Sequence, residues 1–279
     1  MTYLPPLPVV TARRYVQPLR EGGSLPAVVE TDDGLYVVKF RGAGQGPKAL
    51  VAELLVGQIA TALDLPVPAL SLVQLPPPFG RSEPDPEIQD VLRRSHGLNV
   101  GLRYLDGAFN FDCTAAADLV TEDFASRLVW LDALVTNPDR THRNPNLLVW
   151  QGGLWLIDHG AALYAHHDWP GVTPEKVRSP FSLIERHVLL AHADRIAALD
   201  AGLAAMLGDD IVGAIIDRLP DELLSGPEYA ADDRPGDLRQ RYRDYLGSRL
   251  ESHRSFVFEA EQARERLHRL PFLRQSARR

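Results

Sequence analysis

Apolar and polar positions in the first part of the chain fall into short strand-like runs. Leu25–Glu30 and Leu35–Phe40 flank Thr31-Asp32-Asp33-Gly34, which predicts a β-hairpin closed by an Asp-Gly turn. From Pro47 to about Leu63 the spacing changes: Leu50, Leu54 and Gly57 share one stripe, which predicts a helix. Ala69–Leu75 and Gly97–Tyr104 read as further strands, with an exposed Pro-rich loop from Pro76 to Pro86. Residues 1 to about 20 read as an extended leader.

Thr121 is expected to cap a helix with Glu122 and Asp123 in its first turn, favourable at a positive helix end. Its buried stripe would be Phe124, Leu128, Leu131 and Val135. Leu147–Trp150 and Leu154–Ile157, joined by Gln151-Gly152-Gly153, predict a second hairpin. Helical patterns follow over 181–190, 193–207, 211–219 and 238–267, with no internal repeat.

Two charged residues break this pattern. Lys39 lies inside an apolar strand, on the same face as Leu35 and Val37 by alternation, where a charge needs a partner. Glu53 falls on the apolar stripe of the next helix and would face the sheet, so the two are expected to pair. The plainer readings are an edge-strand lysine and a solvated glutamate.

The second hairpin carries more chemistry. Asn137-Pro138-Asp139-Arg140-Thr141-His142-Arg143-Asn144-Pro145-Asn146 enters it, and Ile157-Asp158-His159-Gly160 leaves it. Strand pairing would bring Asp139, Asn144, Asn146 and Asp158 to one end, although 19 positions separate the acids. Each segment alone reads as a turn, since Asn, Asp and Pro dominate turns. In this order, flanked by these strands, they fit phosphoryl transfer. One carboxylate orients the attacking hydroxyl, while an amide oxygen and a second carboxylate hold Mg²⁺ on nucleotide phosphates. Two glycine stretches, Glu21-Gly22-Gly23-Ser24 and Arg41 to Gly46, are candidates for a phosphate-covering loop, and neither has the Walker pattern.

Val37-Val38-Lys39-Phe40, Glu53, the Asn-Pro-Asp-Arg loop with its Asn-Pro-Asn ending, and Ile157-Asp158-His159-Gly160 together resemble the HipA-like kinases, and more distantly the phosphoinositide lipid kinases. The resemblance spans roughly residues 20 to 165. It implies an α+β, bilobal protein-kinase-like fold, with a small β-rich N-lobe over residues 1–103 and a larger, mainly helical C-lobe over 104–279. By resemblance Asp139 is the catalytic aspartate, Asp158 the metal aspartate, Lys39 the nucleotide lysine and Glu53 its partner. The amide ligand is Asn144 by its spacing from Asp139, or Asn146 if counted from the following strand. A hinge near Arg103 to Asp106 would put Arg103 and Tyr104 beside adenine. ATP, Mg²⁺ and a protein serine or threonine acceptor follow as expectations. The alternatives are a small-molecule or lipid kinase on the same fold, or a nucleotide-binding pseudokinase. His142 stands one place later than the histidine that often follows Asp-Arg in related loops, and the chain is shorter than the larger HipA-type toxins, which leaves toxin activity and an antitoxin-like partner open.

Composition adds bounds. A 45% apolar share suffices for a core, and 279 residues suit the two lobes of one kinase fold. A formal charge of −7 opposes general nucleic-acid binding. The single Cys113 excludes an internal disulfide, and no apolar run is long enough for a membrane span, so a cytoplasmic protein is expected. Asp132 is expected either to bond the catalytic loop or to be exposed, His166-His167-Asp168 to form a surface loop, and the Arg264–Arg279 end to be a solvated tail.

Overall fold

The computed structural model describes residues 4–19, 25–44, 46–81, 83–251 and 253–269. The chain begins with strands. β1 (Val9–Pro18), β2 (Ala27–Thr31), β3 (Gly34–Lys39), β4 (Leu70–Leu75) and β5 (Gly97–Arg103) close into a barrel in the order β1-β2-β3-β5-β4. All pairs are antiparallel except β1 with β4. Val10, Ala12, Val29, Tyr36, Val38, Val73 and Leu75 fill it, together with Phe79 and Leu92 from outside the strands. Residues 9–18 are therefore a barrel strand, where an extended leader was expected. The β-branched residues Val9, Val10, Thr11 and Val16 favour it.

α1 (Gly46–Ala62) leaves β3 and is buried on nearly every side, because it packs both on the barrel and on the later helices. α2 (Pro86–Arg94) was not expected. Asp85 caps it by accepting from Glu87 N and Ile88 N, and Pro86 occupies its first turn.

A second sheet, β6 (Phe109–Asn110), β7 (Leu147–Trp150) and β8 (Gly153–Leu156), carries the predicted second hairpin. The remainder is helical. α3 (Glu122–Leu134) is capped by Thr121, whose hydroxyl accepts from Phe124 N. The short α4 (Pro174–Val177) precedes α5 (Ile196–Met206), α6 (Asp209–Asp217), α7 (Pro235–Leu250) and α8 (Ser255–Arg269). The helix expected over 181–190 is instead a 3-10 turn at Ser182–Arg186. The pattern over 238–267 is two helices, broken where Arg254 ties Leu250 O to the Asp200 carboxylate. One large core joins α1, α3, β7, β8 and the later helices. Among the described residues no helix is long and apolar enough to cross a membrane.

Candidate active site

Alternation along β3 sends Tyr36 and Val38 into the barrel, and Val37 and Lys39 to a cleft on its outer side. Lys39 Nζ lies 2.6 Å from Glu53 Oε2 and 2.6 Å from Asp158 Oδ1. Glu53 is fully buried on α1, and the same Oε2 accepts from His159 N at 2.7 Å. One carboxylate oxygen thus ties β3 to the residue after Asp158. Burial alone would push the Lys39 ammonium down, yet Glu53 and Asp158 beside it hold it above its ordinary value. Burial pushes Asp158 up, and Lys39 more than offsets this, keeping it ionised.

The loop entering β7 is built around Asp139. Its Oδ2 accepts from Asn144 Nδ2 at 2.9 Å and Asn146 Nδ2 at 3.2 Å. Asn144 is exposed and Asn146 buried. Asn146 O also accepts from Ile157 N, which closes the base of the hairpin next to Asp158. Asn146 and Asp158 both adopt left-handed backbone, with φ of 49° and 55°. Asn and Asp tolerate this region better than other residues, and the local bonds hold them there.

A buried network braces this loop. Arg140, 1% exposed, donates Nε to Asp132 Oδ2 at 2.6 Å and Nη1 to the Asn146 carbonyl, and its Nη2 lies 3.3 Å from His159 Nδ1. Asp132 also accepts from Asn137 Nδ2 at 3.0 Å and lies 3.0 Å from His187 Nε2. Burial would raise Asp132, but Arg140 and His187 hold it far below the usual carboxylate range. Burial pushes His159 down to about 4, so at neutral pH its Nδ1 accepts from Arg140. Asp132 is therefore a buried hub, not an exposed acid. His187, which the sequence reading weighed only with His192 as a metal pair of the wrong spacing, reaches it because a bridge to Thr141 lays its segment along the loop.

The cleft measures about 780 Å³, a size suited to a small ligand. Lys39, Arg103, Tyr104, Asp139, Asn144, Asn146 and Asp158 all line it, with Glu53 behind Lys39. Val37, Leu102, Leu105, Leu148 and Ile157 supply apolar walls. Arg103 pairs with Asp33 at 3.0 Å and lies over the Tyr36 ring. Arg41 to Gly44 do not line the cleft. Arg41 N donates to Asn99 Oδ1 on β5 and Gly42 N to Ser95 Oγ at the end of α2, so that stretch is pinned away from the cleft. The other glycine loop, Glu21 to Ser24, lies outside the described residues, while Pro18, Leu19 and Pro26 around it line the cleft. His166, expected at the surface, is buried with Nδ1 3.0 Å from Tyr242 Oη.

A strand barrel followed by helices, with a lysine, two acids and two amides on one cleft, is the arrangement of a kinase. A family model described as HipA-like kinase matches residues 14–222, well over half of the chain. The chain belongs to the HipA-like kinase family. Among solved structures it is similar to the Helicobacter pylori proinflammatory kinase CtkA. The TM-score is 0.52 at 13% identity, covering 96% of this chain and 100% of that one, a likeness of fold. No curated protein matches the chain significantly.

Proposed function

We propose that this kinase is cytoplasmic and transfers the γ-phosphoryl group of ATP, with Mg²⁺, to a serine or threonine hydroxyl of a protein. The observation that carries the reading is the convergence of two sets on one cleft: Lys39, Glu53 and Asp158, and Asp139 with its two asparagines. On this reading residues 1–103 and 104–279 act as two lobes, and adenine lies between the apolar walls against the backbone of Arg103 and Tyr104.

The donor set fits Mg²⁺. Asp158 offers carboxylate oxygen, and Asn144 and Asn146, with Nδ2 committed to Asp139, each keep an amide oxygen with no protein donor among the described residues. Mg²⁺ takes hard oxygen ligands and usually binds through one or two carboxylates, with phosphates and waters completing its shell. Bound there, the ion would neutralise phosphate charge. Lys39 would exchange its contact with Asp158 for the nucleotide phosphates while Glu53 keeps it in place. Asp139 Oδ1, unlike Oδ2, has no protein donor among the described residues and would take the proton of the attacking hydroxyl.

Nucleotide binding by calorimetry, with and without Mg²⁺, tests the assignment. Asp158→Asn should weaken Mg²⁺-dependent ATP binding about tenfold or more, while Asp139→Asn leaves it within about twofold. ATP affinity indifferent to both Mg²⁺ and Asp158 would refute the metal assignment.

A further inference from the structure

Three cations among the described residues line the cleft: Lys39, Arg103 and Arg143. Lys39 is held by Glu53 and Asp158, and Arg103 by Asp33 with the Tyr36 hydroxyl. Arg143 makes no hydrogen bond, ion pair or ring contact among the described residues, and its side chain is exposed. Most arginines elsewhere, such as Arg127, Arg140, Arg249 and Arg254, are committed to carboxylates or carbonyls. An uncommitted guanidinium four residues after Asp139 and next to Asn144 in sequence, on the cleft that Asp139 and Asp158 also line, is thus an exception.

Phosphoryl transfer requires positive charge at that place. A guanidinium presents a planar fork that matches two phosphoryl oxygens, and it holds its charge throughout. We propose that Arg143 is a further catalytic residue, whose guanidinium binds the equatorial oxygens of the phosphoryl group in transit between nucleotide and acceptor. The proposal rests on the kinase reading above. In the step, the bond from the γ-phosphorus to the bridging oxygen breaks and its electron pair leaves with ADP. The acceptor oxygen bonds to phosphorus, and its proton passes to Asp139. Arg143 gains and loses no proton. It offsets the charge that Lys39, still paired with the Glu53 carboxylate, only partly meets.

Binding of Mg·ADP, alone and with aluminium fluoride as a mimic of the phosphoryl in transit, distinguishes the roles in wild type, Arg143→Ala and Arg143→Lys. Because Arg143 is exposed and unbonded, both variants should melt with the wild type. Wild type should bind Mg·ADP more tightly with fluoroaluminate present. Arg143→Ala should lose about ten- to a hundredfold of that gain, with Mg·ADP affinity unchanged and Lys restoring part. A gain retained in Arg143→Ala, or absent in wild type that binds Mg·ADP, overturns the role of Arg143 and leaves the nucleotide site standing. Wild type that binds neither ADP nor ATP overturns the kinase reading and this inference with it.

Discussion

Glu53 and Lys39 form a buried ion pair at 2.6 Å. Both are buried, and the glutamate has no solvent exposure, so removing the lysine leaves an uncompensated carboxylate in the core. Lys39→Met should cost about 3–5 kcal/mol in unfolding free energy, measured by denaturant melts. Lys39→Met with Glu53→Leu should recover part of it, and only part, because His159 N also loses its acceptor. A single variant as stable as wild type would show that the pair is not the clasp described. This pair was legible because a lysine in an apolar strand and a glutamate on an apolar stripe each called for a partner. Asp132 was not legible. An acid near the end of a helix looks solvated, and what buries it is Arg140 from the next loop and His187, 55 residues further on.

At the scale of elements, the two hairpins were legible because their turns are encoded within a few residues. Ile157 N to Asn146 O then sets the convergence at the second hairpin. What escaped depended on distant pairing or on weak punctuation. β1 gains its place through β2 and β4, with its pattern blurred by the outward Arg13 and Arg14. α7 and α8 share a continuous polar–apolar rhythm, with no Pro or Gly between them to mark the break. α2 did announce itself, through Asp85-Pro86-Glu87, inside a stretch that reads as loop for its prolines. The glycine stretch after β3 serves packing. A Cβ on Gly42 would meet Ser95 Oγ at 2.8 Å and the Arg94 carbonyl carbon at 2.9 Å, and backbone yields poorly. Gly42→Ala should therefore destabilise by about 1–3 kcal/mol while nucleotide affinity stays unchanged. Weakened nucleotide binding in a variant that still folds would move that loop back to the phosphates.

At the scale of the molecule, buried neutral histidines make stability depend on pH. Burial lowers His166 well below 6.5, with His167 and Lys48 adding to it, and burial also lowers His187 against the pull of Asp132. The unfolded chain therefore binds protons first, at about 6.5. Their contribution is full above that pH and is lost as the pH falls towards the lowered native values. The midpoint of thermal unfolding should be level from pH 8 to about 7 and decline below about 6.5. A level midpoint down to pH 5 would contradict the neutral burial of both rings.

The central proposal is that the cleft moves a phosphoryl group, with Asp139 receiving the acceptor's proton. Transfer of label from γ-labelled ATP with Mg²⁺ tests it most directly, comparing wild type with Asp139→Ala, alone and with cell extract. Label on a protein seryl or threonyl residue, reduced at least about a hundredfold in a variant that still binds ATP, is the predicted result. Equal labelling by both proteins, or ATP binding without transfer to any protein, would contradict it.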